Sequence, residues 1–278
     1  MPRIYAITNQ KGGVGKTTTS INLASALALE DKRVLLIDLD PQGNGSSGVG
    51  HPKSAVQMGI ADVLLGFREL PEVILPTDID GLHLAPATRE LVGLEVELVD
   101  SDNREFLLRD ALARWATDYD HVILDCPPSL GMLTVNALCA ANGVIVPLQA
   151  EYYAMEGLSE LLRAVSQVRK GGLNRDLERS GIVLTMVDRR TKLGRDVCDQ
   201  ARQVFGEEVF LTEVPRNIRL GEAPSFGKPI HAYDPLSRGA IAYSTLATEL
   251  LRRERGESTE DLRAADDAPK SRFILGGA

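Results

Sequence analysis

The sequence predicts an α/β fold: a single doubly wound, mostly parallel sheet flanked by helices. Three observations predict it. Short apolar runs recur along the chain, each of a length and purity that suits a strand buried on both faces. Segments with helical apolar spacing lie between them, so strands and helices alternate. Glycines and aspartates follow several of the runs, at the strand carboxyl ends where open α/β sheets bind ligands.

The first run is Ile4-Tyr5-Ala6-Ile7, and helical spacing begins with Ile21, Leu23, Ala24, Leu27 and Ala28. Between them stands Lys11-Gly12-Gly13-Val14-Gly15-Lys16-Thr17-Thr18, a glycine-rich strand-to-helix turn. Glycines let successive backbone N–H groups turn toward an anion, and the helix behind them points its positive end at the same place. Lys16 is thereby placed to reach β- and γ-phosphates, and the Thr17 hydroxyl to take a position on Mg²⁺. The spacing departs from the usual G-x-x-x-x-G-K-[ST] at its first glycine, where Gln10 stands, and carries an extra lysine, Lys11. That second lysine serves either the surface or a different phosphate.

The first helix is expected to end near Glu30-Asp31-Lys32. The buried strand Val34-Leu35-Leu36-Ile37 then runs into Asp38-Leu39-Asp40-Pro41-Gln42-Gly43-Asn44. Asp38 and Asp40, two residues apart, point to the same side and face the phosphate loop. Residues 41–58, rich in Gly, Ser, Gln and Asn, read as a mobile loop, and Gly59 to Leu65 as a short helix. Val73 to Leu75 and Leu82 to Ala85 read as short strands. A helix follows over about Asn103 to Ala116, with Trp115 packed at the core edge. His121-Val122-Ile123-Leu124-Asp125 is an apolar strand ending in acid, the second acidic element a phosphate-loop site requires. Pro127-Pro128 stiffens the chain after it, and Ser129 to Asn136 is a candidate switch. Strands at Gly143 to Leu148, Ile182 to Val187 and about Val209 to Leu211 alternate with helices at about Glu156 to Lys170 and ending near Phe205. The polar, basic loop Asp188-Arg189-Arg190-Thr191-Lys192 follows the Ile182 strand. A proline-broken segment from Val214 to Pro229 precedes the last helix, about Leu236 to Arg253. Residues 1–253 thus form one domain, and 254–278, polar and without period, a flexible tail.

The net charge of −8 is unevenly spread. Residues 60–125 hold 15 Asp and Glu against 5 Lys and Arg, a local −10 that leaves about +2 elsewhere. A basic face outside that segment is allowed, and a DNA partner is not excluded. No apolar run is long enough to span a bilayer and no signal peptide precedes the first strand, so the expected location is the cytoplasm. Cys126, Cys139 and Cys198 suit neither a zinc site nor a disulfide framework and are expected to be buried, reduced thiols.

Four motifs in this order, Lys11 to Thr17, Asp38 to Asn44, Asp125-Cys126-Pro127-Pro128 and Pro215-Arg216-Asn217-Ile218-Arg219, resemble the deviant-Walker P-loop ATPases. More narrowly the chain is similar to the ParA/Soj chromosome- and plasmid-partitioning ATPases, over about residues 2–252. The resemblance implies that ATP and Mg²⁺ close two subunits into a sandwich homodimer, with Lys11 crossing to the partner's phosphates. It implies that Asp40 positions the attacking water while Asp38 and Asp125 support the Mg²⁺ shell. The adenine is expected near Met186 and Pro215, Arg216 and Asn217. The ATP dimer is expected to bind double-stranded DNA without sequence preference, on the nucleoid, and a ParB-type centromere-binding protein to stimulate hydrolysis and release. Arg190 and Arg219 align with the family's DNA-binding arginines; Arg189, Lys192 and Arg195 join them on charge alone. There is no DNA-binding domain before the phosphate loop, so operon autorepression is not expected.

Three other readings compete: a membrane or other-cargo ATPase, a metabolic enzyme of the same fold, and a scaffold without turnover. A membrane-associated ATPase of the MinD type, or a relative that positions another cargo, would need a C-terminal amphipathic helix. Glu257 to Asp267 is instead acid-rich, and Phe273-Ile274-Leu275 is too short an apolar patch. A reductase with an iron–sulfur cluster needs clustered thiolates, which the three cysteines do not offer. A small-molecule ligase of the same fold would need a substrate pocket, which spacing does not decide. A scaffold that binds nucleotide without turnover is disfavoured by Asp40.

Overall fold

The alternating apolar runs assemble into one sheet in a computed structural model that describes residues 1–99, 101–151, 154–258 and 261–262. Among the described residues the strands are β1 (Arg3–Ile7), β2 (Val34–Asp38), β3 (Leu75–Pro76), β4 (Leu82–Ala85), β5 (His121–Asp125), β6 (Gly143–Gln149), β7 (Glu178–Val187) and β8 (Val209–Pro215). Their order across the sheet is β3-β4-β2-β5-β1-β6-β7-β8, and every neighbouring pair is parallel except β3 against β4. Because side chains alternate along a strand, each central strand feeds two cores. Ala6, Leu35, Ile37, Val122 and Leu124 pack on one face. Tyr5, Ile7, Val34, Leu36 and Ile123 pack on the other.

Helices α1 (Lys16–Leu29) and α12 (Arg238–Glu254) cover the second face. The first is covered by α3 (Ile60–Leu64), α6 (Leu107–Trp115), α7 (Met132–Ala140), α8 (Ala154–Lys170) and α9 (Lys192–Phe205). At its far end α12 is anchored through Glu254, which accepts hydrogen bonds from Tyr5 Oη at 2.7 Å and from His121 Nε2 at 2.9 Å. One carboxylate thereby ties the last helix to the middle of β1 and the first residue of β5.

The structure corrects four expectations. Residues 41–58 are not simply a mobile loop: α2 (Asn44–Ser47) forms there, with Ser46 and Val49 buried. Its small side chains let it press against β2, which composition alone read as flexibility. The strand expected at 73–75 is met only at Leu75, where the two-residue β3 begins; Val73 ends α4 (Leu70–Val73), which has Pro71 in its first turn and the Glu69 N–H donating to Glu72 Oε2 at 2.7 Å. Strand β8 continues to Pro215, well past Leu211, because Glu249 of α12 accepts from the edge N–H groups of Leu211 and Thr212 and holds that edge in place. Trp115 is exposed, its indole N–H donating to Glu69 Oε2 at 2.6 Å, so it seals a surface crossing. The tail expected from 254 overlaps the end of α12 at Glu254, and Leu262 within it is buried; residues 259, 260 and 263–278 lie outside the described residues.

Candidate functional site

The site stands at the carboxyl ends of β1, β2, β5, β7 and β8. After β1 the chain turns through Gly13 and Gly15, both at positive φ (+75° and +89°), a region that disfavours a Cβ. Gly15 then caps α1. The loop is braced from β7, where Thr185 Oγ1 donates to the Val14 carbonyl at 2.8 Å. Lys16 lies almost wholly inside, its Nζ donating to the Lys11 carbonyl at 3.2 Å. Burial pulls the Lys16 ammonium below its ordinary pKa, opposed by the nearby Asp125 and Asp40 carboxylates.

Register puts Asp38 directly beside Asp125 on the neighbouring strand. Both are fully buried. Asp38 Oδ2 accepts from the Ser46 N–H at 2.6 Å and the Ser46 hydroxyl at 2.8 Å, and Asp38 Oδ1 accepts from the Asp40 N–H at 3.2 Å. Asp125 Oδ1 accepts from Ser20 Oγ at 2.9 Å, while its Oδ2 is buried with no hydrogen-bond partner. Burial, and for Asp125 also the Asp38 carboxylate beside it, raises both groups above the ordinary carboxylate range; hydrogen bonds from Ser46 to Asp38 and from Thr17 and Ser20 to Asp125 oppose the shift. Asp40 stands nearer the mouth, its Oδ1 accepting from the Gln42 N–H at 2.9 Å.

A divalent cation fits this donor set. Two adjacent buried carboxylates, one with an unused oxygen, and the Thr17 hydroxyl beside them are hard oxygen donors, as Mg²⁺ prefers. The backbone has cleared space next to them: a Cβ on Gly45 would stand 2.9 Å from Asp38 Oδ2 and 3.1 Å from Asp125 Oδ2.

Two joined concavities complete the site. One, of about 340 Å³, is walled by Gly12, Gly13, Lys16, Thr17 and Asp40, with Asn44 and Pro128 at its rim. The other, about 180 Å³ and mostly apolar, is walled by Met186, Pro215, Arg216, Asn217, Leu220 and Tyr243. They share Gly15, Thr18 and Met186. Met186 holds a left-handed backbone conformation (φ +51°), an uncommon state for a long side chain and one that recurs at functional sites. A polar compartment against an apolar slot has the form of a phosphate chain beside a ring.

Of the residues expected here from sequence, Lys16, Thr17, Thr18, Asp38, Asp40, Asp125, Met186, Pro215, Arg216 and Asn217 are brought together. Lys11 is turned aside, pairing with Glu151 at 3.5 Å. The basic residues cluster at the same end of β7 and β8 with different degrees of freedom. Arg189 is bound to Glu213 and, at 3.5 Å, to Asp199, so it braces α9 against β8. Arg190 is highly exposed and chelates Asp188 at 2.8 Å, holding that carboxyl down to about 2. Arg195 donates to the carbonyls of Arg189 and Arg190. Arg219 pairs with Glu222 at 2.9 Å and Asp234 at 3.4 Å. Lys192 is exposed at the start of α9 with no carboxylate partner among the described residues. Sequence reasoning missed Gly45 and Ser46, which seat Asp38, and Ser20, which seats Asp125; only Ser20, one helical turn after Thr17, carried a readable signal. The three thiols are buried, and burial pushes each up, Cys139 and Cys198 to about 11, as expected of inert cysteines.

Comparison with known proteins follows this geometry. The family model described as an AAA domain matches residues 2–179. The chain is 52% identical over 256 residues to the chromosome partitioning protein ParA of Myxococcus xanthus, covering 92% of this chain and 90% of that one. It is 52% identical over 250 residues to the sporulation initiation inhibitor protein Soj of Bacillus subtilis, covering 90% and 98%. Among solved structures it is similar to one described as cobyrinic acid a,c-diamide synthase from Mycobacterium smegmatis with bound ADP and magnesium. That match has a TM-score of 0.82 and 39% identity, and covers 93% of this chain and 98% of that one. The septum site-determining protein MinD of Pyrococcus horikoshii, complexed with Mg-ADP, matches with a TM-score of 0.75 and 25% identity over 93% of this chain and all of that one.

Proposed function

The chain belongs to the ParA/Soj family of partitioning ATPases, and on that premise we propose that it is an ATP-driven DNA-segregation ATPase. ATP and Mg²⁺ are its cofactors. Gly12 to Thr18 hold the phosphates, the slot at Met186 and Pro215 to Asn217 takes the adenine, and Thr17, Asp38 and Asp125 hold the metal, directly or through water. Mg²⁺, when bound, neutralises charge on the phosphates and on the two carboxylates. Asp40 orients the attacking water at the mouth of the polar compartment. Binding closes two copies face to face, and Lys11 leaves Glu151 for the partner's phosphates.

The paired copies bring two basic ends onto one DNA duplex. Lysines and arginines that displace counterions give sequence-blind, salt-sensitive affinity, and two linked faces multiply it. Arg190, Lys192, Arg195 and Arg219 make the contact, with Arg189 holding the loop in shape. A ParB-type centromere-binding protein stimulates hydrolysis and so releases DNA. The cargo is a chromosome or plasmid, and the protein acts on the nucleoid in the cytoplasm.

The observation that carries this reading is the convergence of Lys16, Asp38, Asp40 and Asp125 on a loop beside an apolar slot. The test is Asp40→Ala: the variant is expected to hold ATP and DNA together without turnover, and hydrolysis at the parent rate would refute the role of Asp40. The similarity to a structure described as a synthase raises a ligase reading. It is answered by the higher identity, 52% against 39%, to partitioning proteins. None of the described helices is long and apolar enough to cross a bilayer; the surface attachment that a MinD-type reading requires is tested by liposome co-sedimentation with ATP.

A further inference from the structure

At the opposite end of the sheet from the nucleotide cleft lies a second concavity, about 550 Å³ in volume. Four cations line it: Arg169, Lys170, Arg175 and Arg179. Three segments supply them, the last turn of α8, the turn after it and the start of β7. Residues 163–179 carry five Lys and Arg against two Asp and Glu, a local +3 on a chain whose net charge is −8. Among the described residues only Arg179 of the four is ion-paired, with Glu208 at 2.7 Å.

Basic residues at a helix C-terminus are ordinary, since they complement the helix dipole. That explains Arg169 and Lys170. It does not explain why Arg175 and Arg179 are brought to the same hollow from outside the helix. The turn carrying Arg175 is fixed: Asn174 Nδ2 donates to the carbonyls of Leu138 and Ala141, at 2.9 and 2.8 Å, at the end of α7, and the Leu173 N–H closes onto Val168. The backbone around the hollow is therefore fixed, and Arg169, Lys170 and Arg175 stand exposed around it without an ion-pair partner among the described residues. One wall is apolar, from Leu162 and Val165, and Ser166 adds a hydroxyl between the two surfaces. Its volume lies in the range of small-molecule sites.

We propose that this hollow is a second ligand site, separate from the ATP cleft, for a compact and multiply charged phosphate ester whose non-phosphate portion rests on Leu162 and Val165. Guanidinium groups suit it because they present forked donors to phosphate oxygens and stay charged at all physiological pH. Strand β7 separates the hollow from the Arg189 and Arg190 loop by its 10 residues, about 33 Å at the rise of a strand. A ligand here touches neither the nucleotide nor the proposed DNA contact.

Calorimetric titration with inorganic tripolyphosphate, in the full chain, tests the site. Lys16→Ala removes the phosphate-loop site and is expected to leave one tripolyphosphate site intact. Adding Arg169→Ala and Arg175→Ala to that background is expected to weaken the remaining site tenfold or more, with the circular dichroism spectrum unchanged. In the otherwise unaltered chain, the same two substitutions are expected to leave ATP hydrolysis and ATP-dependent duplex binding at parent levels. Absence of tripolyphosphate binding in the Lys16→Ala chain, or binding indifferent to Arg169 and Arg175, overturns the proposal. Loss of duplex binding in the doubly substituted chain also overturns it, making the hollow a nucleic-acid contact. The tripolyphosphate outcomes do not depend on the partitioning reading; the duplex-binding outcome does.

Discussion

The residues that matter most to the chemistry are those buried against their own preference. Asp38 and Asp125 sit side by side, fully buried; burial raises both pKa values, and the Asp38 carboxylate raises Asp125 further. A carboxyl whose folded pKa lies above its unfolded value favours the fold while protonated and loses that contribution as pH rises through the folded pKa. The nucleotide-free protein therefore carries a cost at neutral pH that a divalent cation held by these two carboxylates would relieve. Asp125→Asn is expected to raise the melting temperature of the nucleotide-free protein by roughly 3 °C or more, at about 2–4 °C per kcal/mol for a domain of this size. The same variant is expected to lose the further stabilisation that Mg²⁺ and ATP give the parent. Thermal melts with and without Mg-ATP read both, and a variant that melts lower without ligand contradicts the account. Gly45→Ala places a methyl 2.9 Å from the Asp38 carboxylate. A destabilisation of about 1–3 kcal/mol is expected from such overpacking, together with loss of hydrolysis, measurable by urea melts and phosphate release. At the basic end, Arg190→Ala is expected to weaken DNA binding with stability unchanged, because Arg190 is exposed and holds only Asp188. Arg189→Ala is expected to lower stability, because it leaves the half-buried Glu213 with Arg202, at 3.0 Å, as its one remaining arginine partner. Paired melts and DNA titrations of the two variants distinguish these roles, and equal effects would show that the two arginines do the same work.

At the scale of the element, the lock between α12 and the sheet makes its own prediction. Burial alone would raise the Glu254 pKa, but hydrogen bonds from His121 and Tyr5 outweigh it and the group lies below the usual range. A depressed carboxyl stabilises above its unfolded pKa, and the contribution is lost as pH falls through the folded value. Glu254→Gln is expected to lower stability at pH 7 by about 1–2 kcal/mol, as for a lost charged hydrogen bond. Variant and parent should converge under acid, below pH ~4.5, the ordinary carboxyl range; a constant difference from pH 7 to pH 3 would contradict the lock. The elements themselves were largely legible. Every long strand announced itself as an apolar run, because a parallel sheet covered on both faces needs side chains that tolerate burial either way. Asp38 and Asp125 were legible as strand-end acids, and the glycine turn as a phosphate loop. What composition hid were contacts made far along the chain. Glycine and serine at 45 and 46 read as flexibility, though they are small because two carboxylates press on them. Lys11 gave no sign of Glu151, nor Arg189 of Glu213, because pairs distant in sequence leave no local pattern.

On the scale of the whole molecule, the sheet brings two features together at one end. Its carboxyl end carries the nucleotide cleft and, immediately beside it, the loop of Arg189 to Arg195. Pro215 and Arg216 wall both the apolar slot and a concavity of about 440 Å³ framed by Arg190, Arg216 and Arg238. Nucleotide and polyanion would therefore share a wall within one subunit as well as a dimer axis between two. Lys11→Ala is expected to bind nucleotide like the parent yet remain a monomer by light scattering, since its side chain stands outside the pocket of its own subunit; a normal ATP-dependent dimer would remove Lys11 from the interface. The central claim is that triphosphate, by pairing two copies, creates the grip on DNA. Fluorescence anisotropy of a labelled, arbitrary-sequence duplex, titrated with the Asp40→Ala chain in Mg-ATP and in Mg-ADP at 50 and 200 mM salt, tests it most directly. The account predicts tight binding with ATP that falls steeply, by 10³-fold or more for six or more phosphate contacts, between the two salts, and little binding with ADP at either. Equal binding with ATP and ADP, or an ATP affinity that ignores salt, would contradict it.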